Sequence, residues 1–128
     1  MERVQRRWTK FIDGLLECSY AERLRRLEIF SVKGRLIRND LILVYKILHG
    51  LVPSLENLLV LNRAGSTRGH SLKLFVPYRH SDTRSRFFTV RVVQRWNSLP
   101  DAVVSAPSVN SFKRQLGPAL GELLYEFD

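Results

Sequence analysis

The sequence predicts a mainly α-helical fold, a single domain over residues 1–128 with at most one short β-ribbon around residues 72–86. Three observations lead to this prediction. Apolar residues recur at three- and four-residue steps, N-cap residues precede several of these stretches, and Gly or Pro follows them. A length of 128 residues suits one domain, and a hydrophobic content of 45% is ordinary for a globular protein.

Two helices are predicted before residue 31. The first follows an apolar face formed by Val4, Trp8, Phe11, Ile12 and Leu15. The second begins at a capping box, in which Ser19 accepts from the backbone and Glu22 reaches back. Its inward residues are Tyr20, Leu24 and Leu27, and its arginines Arg23, Arg25 and Arg26 are expected around the rest of the helix. Cys18 is interpreted as a small packing residue in a helical region.

The clearest predicted helix runs from Val32 to His49, with Ser31 as N-cap and Gly50 as a C-terminal stop. Its apolar positions are Leu36, Ile37, Leu41, Val44, Tyr45 and Leu48. Residues 41–44 are apolar without interruption, so we expect this helix to be covered on more than one side. It is therefore predicted to form the centre of the core.

Three further elements are predicted along the second half of the chain. A short helix follows Pro53, and a short strand over 72–76 comes after the polar loop 62–71. Helical spacing returns over 87–96, with a face formed by Phe88, Val92, Val93 and Trp96.

Ser108 is the predicted N-cap of a last main helix, which carries Val109, Phe112 and Leu116. Gly117-Pro118 is expected to break this helix. Residues 117–128 are then an amphipathic but short tail that can fray.

The charge is strongly basic: 21 Lys and Arg against 12 Asp and Glu give +9. The net charge is +5 in residues 1–50, +6 in 51–100 and −2 in 101–128. Such an excess attracts polyanions and makes binding salt-sensitive, although a solvated charged surface is the alternative. Sixteen of the 21 basic residues are Arg, whose bidentate guanidinium suits phosphate oxygens.

No catalytic centre, metal site or cofactor is predicted. A polymerase or nuclease centre needs carboxylates that converge on Mg²⁺, whereas Asp13, Asp40, Asp82 and Asp101 are scattered. The glycines form no phosphate-binding loop. The only cysteine is Cys18, and the three histidines His49, His70 and His80 lack the close spacing of a zinc site. The expectation is a protein that is not an enzyme.

An intracellular protein, cytoplasmic or nuclear, is expected. No apolar run approaches the ~20 residues of a membrane span, and no signal peptide is recognisable at the N-terminus. We therefore expect no membrane partner.

Residues 63–95 form the candidate nucleic-acid-binding segment, because they carry eight basic side chains, one acid and interleaved aromatic residues. Phe88 and Trp96 are interpreted as core, whereas Phe75 and Tyr78 suit either core packing or stacking on bases. RNA or single-stranded DNA is the expected partner. The predicted binding residues are Arg63, Arg68, His70, Lys73, Tyr78, Arg79, Arg84, Arg86, Arg91 and Arg95.

Several stretches of the sequence, taken in order, carry a family resemblance. They are VQRRWTKFIDGL (4–15), SYAERLRRLEIFSV (19–32), DLILVYKILHG (40–50), RGHSLKL (68–74), FFTVRVVQRWNSLP (87–100) and APSVNSFKRQL (106–116). Together they resemble the C-terminal region of non-LTR, LINE-type retrotransposon reverse transcriptases, closest to the jockey-like and chicken-repeat-like branches. The resemblance covers roughly residues 3–117.

The resemblance implies a position downstream of the polymerase fingers, palm and thumb of these RNA-directed DNA polymerases. The catalytic Asp-Asp pair of the palm would lie outside this chain, so the polymerase activity does not carry over. In the family this tail is thought to hold template RNA or target DNA near the polymerase core, which would be the protein partner here. The matched residues are Arg68, His70, Ser71, Lys73, Arg84, Arg91, Arg95, Trp96 and Asn97.

Two features depart from the family pattern. Gly34 lies where the family tends to have helix formers, and a mid-helix glycine costs up to about 1 kcal/mol. The chain also begins at Met1 where the family continues upstream, which suggests a decayed or captured element. The sequence therefore predicts a non-catalytic, nucleic-acid-associated domain. The alternatives are a protein–protein or self-association module, or a remnant reading frame without function.

Overall fold

The computed structural model describes residues 1–53, 59, 61, 72–74 and 88–127, with the main chain only at 88–91. The described residues form α1 (Glu2–Thr9), α2 (Tyr20–Arg26), α3 (Val32–Leu48), α4 (Phe88–Asn97), α5 (Asp101–Val104), α6 (Val109–Leu120) and a 3₁₀ helix (Gly121–Tyr125). The prediction of a mainly helical protein is thus confirmed.

The described residues contain one β-bridge and no longer strand. Leu61 and Leu74 pair in antiparallel orientation. The remainder of the ribbon predicted at 72–86, namely residues 75–86, lies outside the described part of the chain. The same holds for most of the short helix predicted after Pro53, since residues 54–58 are not described.

The chain divides into two compact units. Unit 1 comprises Met1–Arg38 and Leu120–Asp128, and unit 2 comprises Asn39–Ala119. A single domain over residues 1–128 stays a prediction.

The core of unit 2 is built on the second half of α3. Leu41 and Val44 are fully buried, and Ile42, Tyr45 and Ile47 are nearly so, which confirms that this helix is covered on more than one side. The uninterrupted apolar run produces this result because four consecutive residues point to different sides of a helix. Trp96 from α4 and Phe112 and Leu116 from α6 complete the core.

In unit 1 most of the apolar face predicted for the first helix does not face the protein. The α-helix ends at Thr9, and Val4, Trp8 and Phe11 are exposed. The side of α1 that faces the protein is polar, because Glu2, Gln5 and Thr9 hydrogen-bond to α2 and to the residues at the start of α3.

The N-caps predicted from Ser residues are confirmed at three helices. The Glu22 amide donates to Ser19 Oγ at 3.3 Å, the Gly34 amide to Ser31 Oγ at 2.9 Å and the Ser111 amide to Ser108 Oγ at 3.1 Å. Each bond satisfies an amide that lacks a partner within its own helix. Glu22 pairs with Arg26, one turn further along α2.

The helix break predicted at Gly117-Pro118 is also wrong, because α6 continues through Pro118 to Leu120. Proline normally forces the preceding residue out of the α region through a clash with its Cβ. Gly117 has no Cβ, so the helix can continue. Helix α5 lies between the two stretches predicted as helical, 87–96 and the helix after Ser108.

The segment after α6 packs within unit 1. The Ser31 amide donates to the Leu124 carbonyl at 3.0 Å, and Phe30 contacts Tyr125 edge to face. The ring of Phe127 lies 4.8 Å from that of Tyr20. Both ends of the described chain therefore belong to one unit.

Candidate functional site

Most of the predicted binding residues lie outside the described part of the chain. This applies to Arg63, Arg68, His70, Tyr78, Arg79, Arg84 and Arg86 and to the side chain of Arg91, whose main chain belongs to α4. Lys73 and Arg95 are described, and both are half-buried.

Trp96 and Asn97 fix the position of Lys73 by binding the residues on either side of it. The Trp96 indole N–H donates to the Leu72 carbonyl at 2.9 Å. The Asn97 amide accepts from the Leu74 N–H at 2.7 Å and donates to the Leu74 carbonyl at 3.0 Å. This is the pair of bonds that a neighbouring β-strand residue would make.

We call these three hydrogen bonds the Trp96–Asn97 anchor. It joins the RGHSLKL and RWNSLP stretches of the sequence and places Lys73 beside the C-terminal end of α4, where Arg95 also lies. Cations are favourable there because the last carbonyls of a helix carry partial negative charge. The anchor thus joins the two backbone segments that carry Lys73 and Arg95.

His49 and Tyr45 have a structural role in unit 2. The Tyr45 ring stacks on His49 at 4.0 Å and on Phe112 at 4.5 Å, and its hydroxyl donates to the Ala106 carbonyl. His49 Nε2 lies 3.1 Å from the Val104 carbonyl oxygen. No group of three His, Cys, Asp or Glu side chains that could hold a metal ion occurs among the described residues.

Several arginines of unit 1 form hydrogen bonds or ring contacts within the unit. Arg23, expected on the outside of α2, is only 2% exposed. Its guanidinium donates to Thr9 Oγ1 and to the carbonyls of Cys18 and Arg6, at 2.6 to 3.1 Å. Arg6 lies 5.0 Å from the ring centres of both Tyr20 and Phe127.

The charge on the remaining unit 1 cations is partly neutralised. Arg25 pairs with Glu122, Arg26 with Glu22 and Lys33 with Glu126. Unit 1 as a whole carries ten Lys and Arg against eight Asp and Glu, a net charge of +2. Unit 2 carries eleven against four, a net charge of +7. Most of the basic excess therefore belongs to unit 2.

The inner face of α1 is held by Glu2, which also caps α3. Its carboxylate accepts from the amides of Val32 and Lys33 at 3.1 and 3.2 Å and from the Tyr20 hydroxyl. Burial would raise the pKa of Glu2, but these hydrogen bonds together lower it below its ordinary value. Burial, together with the hydrogen bond to Glu2, raises the pKa of Tyr20 to about 12.

The outer face of α1 is the site that sequence reasoning missed. Trp8 is 65% exposed and Phe11 77% exposed, and the apolar face predicted from the sequence gave no indication of this exposure. The signal that could have revealed them is the polar row Glu2, Gln5 and Thr9. These residues recur with helical spacing on the opposite side of the same helix and carry the hydrogen-bonding groups that anchor it.

A helix able to span a membrane is absent from the described part of the chain. Comparison with known proteins yields no matching family model, no similar curated protein and no similar solved structure. The resemblance to LINE-type reverse transcriptases stays a prediction.

Proposed function

We propose that the protein is a non-catalytic, nucleic-acid-associated domain that binds RNA or single-stranded DNA mainly through the basic residues of unit 2. The observation that supports this most directly is the distribution of charge. Unit 2 holds +7 of the total +9, whereas many arginines of unit 1 are buried, stacked on aromatic rings or ion-paired. A net charge of this size on a small unit favours a polyanionic partner.

The Trp96–Asn97 anchor supports the same proposal. It holds Lys73 and the C-terminal end of α4 together, so basic residues that lie far apart in sequence share one part of unit 2. The family resemblance further suggests that the domain derives from the C-terminal region of a LINE-type reverse transcriptase, without the polymerase palm. A protein with this role acts in the cytoplasm or nucleus, where its RNA or DNA partner is found.

The test is a binding titration of the whole chain against unstructured single-stranded RNA and DNA at two salt concentrations. We expect measurable affinity at low salt that falls steeply as salt rises, because each neutralised phosphate releases counterions. Affinity that is undetectable at low salt, or that does not change with salt, would contradict the proposal. Primer extension by the purified chain with Mg²⁺ and template would contradict its non-catalytic part.

A further inference from the structure

The outer face of α1 combines exposed aromatic rings with exposed cations. Met1, Val4, Trp8 and Phe11 are exposed along one side of the helix and its following turn. Arg3, Arg7 and Lys10 are exposed beside them, and none of the three forms an ion pair within the described part of the chain. We call these seven residues the α1 outer face.

The orientation of this face is fixed by the polar contacts on the opposite side of the helix. Glu2 binds two amides of α3, Gln5 Nε2 donates to the Phe30 carbonyl at 3.0 Å, and Thr9 Oγ1 accepts from the buried Arg23. Rotating α1 to bury Trp8 would break all of these bonds. An apolar stripe that is held outward in this way indicates a binding surface.

The charges beside the stripe indicate what binds there. Arg3 and Arg7 are four residues apart and Lys10 follows three residues later, so the cations form a row about 10 Å long at 1.5 Å per residue. Glu2, the acid within α1, is engaged with Tyr20 and α3. A second copy of α1 would bring a second row of cations to the contact, which disfavours self-association. A polyanion complements the row.

Trp8 and Phe11 are three residues apart, so their rings can contact neighbouring bases of one strand. The Phe11 amide donates to the Trp8 carbonyl at 3.1 Å, an i to i+3 bond in the turn that follows α1. Side chains three residues apart in such a turn lie one above the other. Exposed aromatic faces of this kind stack on the bases of a single strand without sequence preference.

We propose that the α1 outer face is a second contact for single-stranded nucleic acid, with bases stacked on Trp8 and Phe11 and phosphates bound by Arg3, Arg7 and Lys10. This inference rests on the proposed function and adds a surface in unit 1 that the basic segment of unit 2 does not include. The strand is RNA or DNA, and parallel titrations with both distinguish the two.

Intrinsic tryptophan fluorescence tests the inference directly, because the chain has two tryptophans and Trp96 is fully buried. Titration of the whole chain with an unlabelled RNA or DNA strand is expected to quench the emission of Trp8. In parallel, a labelled strand measures affinity by anisotropy. Trp8→Phe is expected to abolish the quenching and to retain most of the affinity, because a ring for stacking remains.

The double variant Trp8→Ala, Phe11→Ala is expected to lose affinity by at least about 5-fold per ring, the lower end of the base-stacking range. A matched control, Leu36→Ala with Leu51→Ala, removes two other exposed apolar side chains and should bind like the unaltered chain. Circular dichroism checks that each variant is folded.

Three results would overturn the inference. If the strand binds by anisotropy but Trp8 emission and the affinity of the alanine variant are unchanged, the inference fails while the proposed function stands. If no strand binds at low salt, both fail. If Trp8 emission shifts to the blue with rising protein concentration in the absence of any strand, the α1 outer face is an interface between copies of the chain.

Discussion

Gly34, in the first turn of α3, lies directly against the backbone of Leu124. A Cβ atom added at position 34 would lie 2.6 Å from the Leu124 carbonyl carbon and 2.7 Å from its Cα, closer than real Cβ atoms approach. The Leu124 carbonyl also accepts a hydrogen bond from the Ser31 amide, so this close approach is part of how the C-terminal segment is bound. Position 34 requires glycine because the backbone of Leu124 occupies the space that a Cβ atom would need.

Gly34→Ala is therefore expected to destabilise unit 1 by about 1–3 kcal/mol, the usual cost of overpacking a tight contact. Helix propensity alone predicts the opposite, a gain of up to about 1 kcal/mol. The free energy of unfolding, measured in urea, shows whether Gly34→Ala stabilises or destabilises the protein. Asn39→Ala, at an exposed position of the same helix, is the control and should be neutral or slightly stabilising. A Gly34→Ala variant as stable as that control would refute the close contact.

Arg23→Met is expected to lower the free energy of unfolding by at least about 2 kcal/mol. The change removes the guanidinium donor to Thr9 Oγ1 and to the carbonyls of Cys18 and Arg6, of which the Arg6 carbonyl keeps a bond from the Thr9 hydroxyl. Arg23→Lys should not restore stability, because one ammonium group cannot make the three hydrogen bonds of the planar guanidinium. The control is Arg26→Met, whose exposed pair with Glu22 contributes about 0.5 kcal/mol or less. Equal effects at the two positions would contradict the buried role of Arg23.

Asn97→Ala is expected to release Leu74. The variant removes both bonds between the Asn97 amide and the Leu74 backbone, so hydrogen exchange at the Leu74 amide should accelerate by about tenfold or more. Ser98→Ala, which removes only an exposed bond to the Arg95 carbonyl, should leave that amide protected. Unchanged protection of Leu74 in the Asn97 variant would refute the Trp96–Asn97 anchor.

Stability should fall at both pH extremes through the Glu2–Tyr20 pair. The folded chain holds the Glu2 proton less tightly than the unfolded chain, because the pKa of Glu2 is lowered from 4.5. Its contribution is therefore present above pH 4.5 and is lost as the pH falls through the lowered pKa. The raised pKa of Tyr20 acts in the opposite direction, so its contribution is present below pH 10 and is lost as the pH rises towards 12.

Urea unfolding at a series of pH values separates these contributions. Glu2→Gln should unfold with a weaker dependence on pH below 4.5, and Tyr20→Phe with a weaker dependence above pH 10. Glu17→Gln, which changes an exposed carboxyl, is the control for the acid range. Variants whose pH dependence matches the unaltered chain would show that the pair does not link folding to pH.

Local patterns in the sequence predicted α2, α3, α4 and α6, since Ser caps and apolar spacing act within a few residues. The predictions were wrong where residues far away in the sequence determine the burial or orientation of a side chain. Burial of Arg23 depends on carbonyls at the end of α1, and the outward orientation of Trp8 depends on polar partners in α2 and α3. In the same way, the space at Gly34 is taken by residue 124, which no pattern near position 34 can reveal.

The basic segment of the candidate site could be proposed from composition alone. Net charge attracts a polyanion at long range, whatever the exact placement of the side chains. What composition could not indicate is which cations the fold engages internally. Arg6 and Arg23 count toward the net charge of the sequence, yet one stacks on Tyr20 and Phe127 and the other is buried.

The central claim, that unit 2 provides the main nucleic-acid contact, is tested most directly by the salt dependence of single-stranded RNA binding in two charge-matched variants. One replaces Arg79, Arg84 and Arg86 of unit 2 with Gln; the other replaces Arg25, Arg26 and Arg35 of unit 1. We predict that the first lowers the slope of log affinity against log salt by about 2, since each phosphate contact contributes about 0.7 on a single strand. The second should leave the slope nearly unchanged. Equal slopes in both variants, or a larger loss in the second, would contradict the account.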